Sequence, residues 1–451
     1  MFHLGVGRTR SFKGYILFHL TYIGIYLIDK LFYNGRLKFP IDDFEENPLY
    51  YKFPSKEIFH FAYKYYVGHV KEEIPVINST LSDHEVIPLE DEMIGEISFH
   101  AGGDLLPYAK FTKQTCENLW DEIGSDFFCG DIVYANLETP INLSHPRVNC
   151  PEMMVGKILF NGDPEIFDIF NGNNEYKGFD ILSTANNHAF DQGTSGVIST
   201  IKFLESKQII SVGTSIEKGV EKRVKIIEKN GIKVGFLSYT YSLNGEVVPL
   251  DQTNLINHIR LNANNFDLSK IKEEVVFLKS VGVDFIVGLF HYGLAYQFFP
   301  APHIKENTYR IFEETGIDLI IGNHAHNIQP VEKYKYYCPL ERREKCSWVA
   351  YALGDFIGDD IFDWCTMSMY LKINIVKYKT KDSVETRIKI IEPKIIIRTE
   401  DKSSGKLKLC FAEDVFMHGP KKYNFKNLHI QNYNSNKSLY TRFKNMYTTH
   451  Q

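Results

Sequence analysis

The chain has 451 residues, of which 44% are hydrophobic and 24% charged, with a formal net charge of -5. This is the composition of a globular protein with a large core, and it excludes a disordered tail. The short basic groups at Arg342 to Lys345 and Lys421 to Lys426 read as solvated surface, so nucleic acid is not expected as a partner. The seven cysteines are scattered and never form a C-x-x-C pair, which predicts reduced thiols rather than a disulfide framework or a thiolate zinc site.

At the N-terminus, Arg8, Arg10 and Lys13 precede a mostly apolar run from Gly14 to Ile28, broken by His19 and stopped by Asp29 and Lys30. The run falls short of the roughly 18 residues of a spanning helix, and no small-x-small cleavage site follows it. The expectation is a helix over residues 14–31 in a cytoplasmic protein. Its apolar face would pack on residues 50–90 or on the main domain, or would associate peripherally with a membrane. Residues 1–92 hold many aromatics (Phe59, Phe61, Tyr63, Tyr65, Tyr66) and no site motif, and read as a helical extension. Pro75, Pro88 and the acidic Glu90, Asp91 and Glu92 mark a linker.

From Ile94 the pattern changes. EISFHAGGDLLPY is a strand opening into Gly102, Gly103 and Asp104, where glycines let the backbone turn tightly. Residues 111–124 read as a helix, and GDIVYANLETPI as a second strand ending at Asn136 and Glu138. A third strand, in DILSTANNHAFDQG, delivers Asn186, Asn187 and His188 with Asp191 close behind. Gly193 to Lys207 has the apolar face of a helix (Val197, Ile201, Leu204), and IISVG is a short strand. In VKIIEKNGIKVGFLSY two β-rich runs flank Asn230-Gly231, a strong hairpin signal.

Helix-like LSKIKEEVVFLKSVG then runs into VDFIVGLFHYG, and NTYRIFEETG into IDLIIGNHAHN. The junctions Gly-x-Asp at 178, 282 and 316 repeat one device, in which glycine ends a helix and a buried strand begins almost at once. Continuous apolar strands after helices predict sheets covered on both faces. SWVAYALGDFIGD supplies a strand ending at Gly354 and Asp355. The reading is an α/β domain over 93–365, a β-rich completion over 366–420, and a polar tail over 421–451.

Strand ends therefore offer Asp104, Glu138, Asn187, His188, His291, His324 and His326, at the location where open α/β sheets build their sites. Each has an ordinary alternative: Asp104 as a helix cap, Glu138 on the surface, Asn187 in a turn, His291 as a satisfied core histidine. The pair His324-x-His326 is more specific, because two imidazoles after a buried strand are costly without a partner. Carboxylate, carboxamide oxygen and imidazole together suit one or two divalent ions such as Mn, Fe or Zn. A pair bridged by one carboxylate would activate a water and clamp an oxyanion.

The ordered motifs GD, NLE, ANNHAFDQG, HYG, G-x-H-x-H and ALGDF, over roughly residues 94–360, resemble the CapA family, the poly-γ-glutamate capsule-synthesis proteins with a calcineurin-like metallophosphatase fold. The resemblance implies a four-layer α/β/β/α sandwich. It implies Asp104 as a terminal ligand of one ion, Glu138 as the bridge, Asn187, His291 and His324 on the second ion, and His326 turning back to the first. His188 would stabilise or protonate the leaving group, oriented by Asp191. Leu106 stands where metallophosphatases place a histidine, Ala295 where the family has an acid, and Asp355 where it has asparagine. The implied function is a metal-dependent hydrolase or transferase acting on polyglutamate or related polyanionic cell-envelope material. The alternatives are a non-catalytic polyanion-binding member of a capsule-synthesis or export complex, and a plain metallophosphoesterase.

Overall fold

In the computed structural model, residues 92–150, 159–360, 363–381, 383–419, 428–429 and 433–447 are described, together with scattered helical positions between 16 and 31. Most of the expected 1–92 extension therefore lies outside the described residues, as do residues 50–90. The strands are β1 (Glu92–Leu105), β2 (Ile132–Leu137), β3 (Ile181–Ser183), β4 (Ile210–Val212), β5 (Lys225–Lys229), β6 (Ile232–Thr240), β7 (Phe285–His291) and β8 (Leu319–Asn323). They continue with β9 (Val331–Cys338), β10 (Arg343–Ala350), β11 (Asp355–Ile357), β12 (Met367–Lys379), β13 (Val384–Asp401), β14 (Leu407–Phe411) and β15 (Leu428–His429). The longer helices are α1 (Pro164–Phe170), α2 (Gly193–Ser206), α3 (Ser269–Ser280), α4 (Pro302–Thr315) and α5 (Tyr433–Tyr447).

Two mixed sheets result. The first runs β14-β13-β12-β1-β2-β3-β4, with β11 paired to β1 and β15 to β13, and the second runs β5-β6-β7-β8-β10-β9. Within them, β1 to β4 and β6, β7, β8 and β10 form parallel blocks. Side chains on a strand alternate between faces, and this period sorts the core into three slabs. Phe99, Tyr134, Ile181, Val234, Phe236, Val287, Leu289, Leu319 and Ile321 meet between the sheets. Val133, Ala135 and Leu182 point outward to Phe167 and Phe170 of α1 and Leu204 of α2. Ile286, Phe290 and Ile320 point the other way, to Val275 and Leu278 of α3 and Ile311 and Phe312 of α4. The architecture is thus a four-layer α/β/β/α sandwich.

Local chemistry explains the joints. Gly178, Gly282 and Gly316 all take left-handed φ (79°, 76° and 70°), as the Gly-x-Asp repeats require. The aspartate of each repeat then starts a strand and accepts the N–H of its neighbour: Asp180 from Val133, Asp284 from Lys233 and Asp318 from Ile286, each at 2.8 Å. Asn230 and Gly231, both at positive φ, close the antiparallel β5–β6 hairpin as expected.

Three stretches differ from the sequence reading. Residues 111–123 form a string of turns rather than a helix, with only Gly124–Phe127 helical. Thr112 and Thr115 hydrogen-bond each other's backbone and side chain there, and Trp120 donates to the Ile169 carbonyl at 2.7 Å, so local side-chain partners replace a helical ladder. The stretch read as a polar tail carries α5, which buries Tyr440 and Phe443 against the inter-sheet core. Near the N-terminus, Ile16, Leu20, Ile23, Leu27 and Leu31 are helical but exposed, which departs from the packed alternative of the reading and not from the membrane-contacting one. Among the described residues, no helix is long and apolar enough to cross a membrane.

Candidate metal centre

Parallel strands carry their carboxyl ends to one edge, and the candidate residues sit there. Asp104 lies near the end of β1, Glu138 follows β2, Asn187 and His188 follow β3, His291 ends β7, and His324 and His326 follow β8. All are buried. One ligand atom from each of Glu138, His324 and His326 falls within 4.8 Å of the others, and the same holds for Asp104, Glu138 and His291. Asn187 joins through its Oδ1, 3.0 Å from His291 Nε2, and Glu138 Oε1 is 3.5 Å from that same nitrogen. His324 and His326 adopt positive φ (94° and 53°), a conformation that costs a non-glycine residue free energy and persists where surrounding structure enforces it.

The surroundings fix the donors. The Asn136 amide donates to Asp104 Oδ1 at 2.7 Å and lies 3.2 Å from His291 Nδ1, which turns Nε2 of that ring toward Glu138 and Asn187. Asn136 and Glu138 are two apart on an extended chain and so share a side, the signal within NLE that could have found Asn136 from sequence. The His324 N–H donates to Asp104 Oδ2 at 3.1 Å, and the Tyr241 hydroxyl lies 3.0 Å from His324 Nε2. Tyr296 stacks on His326 with ring centroids 5.4 Å apart. Neither tyrosine belongs to a motif; both reach the site through register and loop geometry. Asp355, read from sequence as a strand-end aspartate where the family has asparagine, touches His326 directly, with Oδ1 2.7 Å from Nδ1.

His188 and Asp191 form a separate pair beside this cluster. Asp191 Oδ2 lies 2.7 Å from His188 Nδ1 and also accepts the Phe160 N–H, and the Phe160 ring stacks on the imidazole at 3.9 Å between centroids. The Asn186 side chain accepts the His188 N–H and donates to the Leu137 carbonyl, tying this turn to the strand that delivers Glu138. Asn244 Nδ2 stands 3.5 Å from His188 Nε2.

Charge balance shows what the cluster lacks. Burial, aided by repulsion from Glu138, pushes Asp104 well above the usual carboxylate range, and burial pushes Asp355 up to about 7. Burial works against ionisation of Glu138 as well, yet His291 and His326 hold it down at about 2. Burial lowers His291, whereas Asp355 and Glu138 overcome burial at His326 and raise it well above the ordinary histidine value. Glu138 and the His326 imidazolium are thus left charged opposite each other, while Asp104 and Asp355 are pushed toward their neutral forms for want of further positive charge. Among the described residues, neither Glu138 oxygen nor Asp355 Oδ2 has a hydrogen-bond partner. A buried carboxylate with both oxygens unsatisfied, facing imidazoles, is the donor set a divalent cation completes, and the residues fit such an ion.

The family described as "Bacterial capsule synthesis protein PGA_cap" matches residues 93–360. The chain belongs to this family. Two curated members are similar to it. One is "Capsule biosynthesis protein CapA" of Bacillus anthracis, 27% identical over 185 residues, a match spanning 40% of this chain and 41% of the relative. The other is "PGA biosynthesis protein CapA" of Bacillus subtilis (strain 168), 22% identical over 262 residues, spanning 55% of this chain and 59% of the relative. Both matches cover less than two thirds of the relatives' own length. Among solved structures, a calcineurin-like phosphoesterase from Bacillus subtilis aligns at 16% identity over 67% of this chain and 90% of that one, with a TM-score of 0.34. A putative 5'-nucleotidase from Staphylococcus aureus aligns at 14% identity over 66% of this chain and 54% of that one, with a TM-score of 0.39. The chain is a capsule-synthesis family member on a four-layer α/β/β/α fold, and the chemistry of its site rests on its own residues.

Proposed function

We propose that this protein is a metal-dependent hydrolase or transferase acting on an amide bond of poly-γ-glutamate or a related cell-envelope polymer during capsule synthesis. The observation that carries the reading is the buried Glu138 carboxylate, unsatisfied amid His291, His324 and His326, directly beside the His188–Asp191 pair. In this reading Asp104, Glu138, Asn187, His291, His324 and His326 hold one or two ions of the Mn, Fe or Zn type. When bound, such ions polarise the scissile carbonyl and lower the pKa of an attacking water. Glu138, like Asp104 and His326, belongs to two of the donor groups, and in this reading it is the carboxylate the ions would share.

The proton work falls to the chain itself. Asp191 holds the proton on His188 Nδ1, so the second ring nitrogen is the one that exchanges protons with substrate. In hydrolysis a C–O bond forms to water as the C–N bond breaks. The departing nitrogen takes a proton from His188, and the water consumed returns one. In transfer, an amine takes the place of water and the same histidine handles the same protons. The stacked Phe160 ring covers one face of the imidazole and keeps it in register. The names of the two relatives, which refer to capsule and PGA biosynthesis, favour a glutamyl polymer over a phosphoester.

The test is turnover of the metal-loaded protein on poly-γ-glutamate, γ-glutamyl peptides and simple phosphoesters. Release of amino groups from the polymer or peptides is expected. Binding of the polymer without turnover, by a protein that carries no metal, would instead assign it to a non-catalytic role in a synthesis or export complex.

A further inference from the structure

The donors of the centre are unevenly shared. Three overlapping groups of donors come together there: Glu138 with His324 and His326, Asp104 with Glu138 and His291, and, at the edge where β1 ends, Asp104 with His326 and Asp355; Asn187 Oδ1 joins at 3.0 Å from His291 Nε2. Leu106, next along that edge, is buried in the apolar outer core and offers no donor. Divalent ions of this kind take at least four ligands, water among them, so the position at this edge has room for a protein donor beyond Asp104, His326 and the shared Glu138.

We propose that Asp355 is a direct ligand at this position, giving an oxygen-rich site of Asp104, Asp355, His326 and the shared Glu138 beside a nitrogen-rich one. The proposal rests on the metal-dependent reading above and adds a residue to it. Three observations support it. First, β11 pairs in parallel with β1, with Asp104 directly opposite Asp355, a register that sets both carboxylates on one side of the strand pair. Second, one oxygen from each of these two carboxylates and one His326 nitrogen lie within 4.8 Å of one another. Third, Asp355 Oδ1 is engaged by His326 Nδ1 at 2.7 Å, while Oδ2 is buried and accepts nothing among the described residues.

The His326 nitrogen that faces both carboxylates is Nδ1, 2.7 Å from Asp355 Oδ1 and 3.9 Å from Asp104 Oδ2. A cation held by these three residues would therefore take the place of the proton between His326 and Asp355, with Asp355 Oδ2 a second oxygen within its reach. The approach itself depends on glycine: a Cβ on Gly103 would lie 2.0 Å from the Gly354 carbonyl oxygen, so any other residue would hold β11, and Asp355 with it, away from Asp104.

Asp355→Asn separates a ligand from a positioning residue. The carboxamide can still accept from His326 Nδ1 through its oxygen, but it is neutral and has an N–H₂ in place of one carboxylate oxygen, so it can orient the ring while holding a cation far more weakly. The experiment titrates Mn²⁺ into chelator-stripped wild type and Asp355→Asn by calorimetry, with metal analysis of the dialysed proteins and circular dichroism as a check of fold. The expected result is two equivalents in wild type, and in the variant one equivalent unchanged and the other weakened tenfold or more. Retention of both equivalents within tenfold, or equal weakening of both, overturns the proposal and leaves the metal-dependent reading standing. A wild type that binds no metal overturns both. Should Asp355→Asn fail to fold, Asp355→Ser, smaller and neutral, carries the same expectations.

Discussion

Replacing Gly103 by alanine tests how the edge of the first sheet builds the site. The added methyl group would sit 2.0 Å from the Gly354 carbonyl oxygen, against the 3.0 Å below which Cβ contacts essentially never occur, and the obstacle is backbone rather than a movable side chain. β11 must therefore move by about 1 Å or more, the difference between those two distances. Two hydrogen bonds tie it in place, Asp104 N–H to Gly354 O and Leu106 N–H to Ile357 O, both 3.0 Å. Such a shift takes both out of range and strands two buried donors, at ~1–3 kcal/mol each, so the expected loss is ~2–6 kcal/mol. That is well above the ~1 kcal/mol of a typical point mutant. The assay is urea unfolding and metal content on the same preparation, with Gly405→Ala as control. Gly405 has a φ of 69° but open space around it, so alanine there should cost only ~1–2 kcal/mol of backbone strain and leave the metal untouched. A Gly103→Ala protein within ~1 kcal/mol of wild type, with its metal intact, would refute the idea that close strand approach holds Asp355 to Asp104.

His188→Ala should keep its metal and lose roughly a hundred- to ten-thousand-fold in rate, the range of general acid-base catalysis, whereas Asn187→Ala or His324→Ala should lower metal content; metal loss in His188→Ala would make it a ligand. The chelator-stripped protein should melt at lower temperature as pH rises from 5 to 8, a trend that saturating Mn²⁺ removes. The sign follows from groups whose folded values are raised: Asp104 and Asp355 chiefly by burial, the latter to about 7, and His326, where Asp355 outweighs burial. Their contribution is full below the unfolded values and lost as pH climbs through the folded ones; His291, which burial lowers, opposes them as one group against three, and Glu138, held at about 2, has already finished titrating below this window. A stripped protein that gains stability over that range would contradict the assignment. Finally, Phe443→Ala, fully buried on α5, should cost ~3–5 kcal/mol in chemical denaturation; a negligible cost would mean that α5 is not docked on the core.

The parts of this fold legible in the sequence are those where one residue type dictates one backbone geometry. Asn230-Gly231 and the three Gly-x-Asp junctions announce themselves because positive φ leaves few alternatives. Buried parallel strands were readable as short continuous apolar runs, and with them the strand-end positions of Asp104, Glu138, His291, His324 and His326. Residues 111–123 misled because their apolar spacing fits a helix, while the threonine bonds and the Trp120 contact that decide against one are local details outside any periodicity. α5 was hidden because only a few of its positions, Tyr440 and Phe443 among them, meet the core. Asp355 could be seen as a charge but not as a neighbour of Asp104, since that proximity comes from a pairing between strands far apart in sequence.

The most direct test of the account is the divalent metal content of the purified protein, measured alongside amine release from poly-γ-glutamate in wild type and Glu138→Gln. The substitution keeps the size of the buried carboxylate proposed as the shared ligand and removes its charge. Metal bound to wild type, depleted in Glu138→Gln and accompanied by loss of turnover, is the predicted result. A wild type that releases amine with no metal bound, or a Glu138→Gln protein with full metal and full turnover, would contradict it.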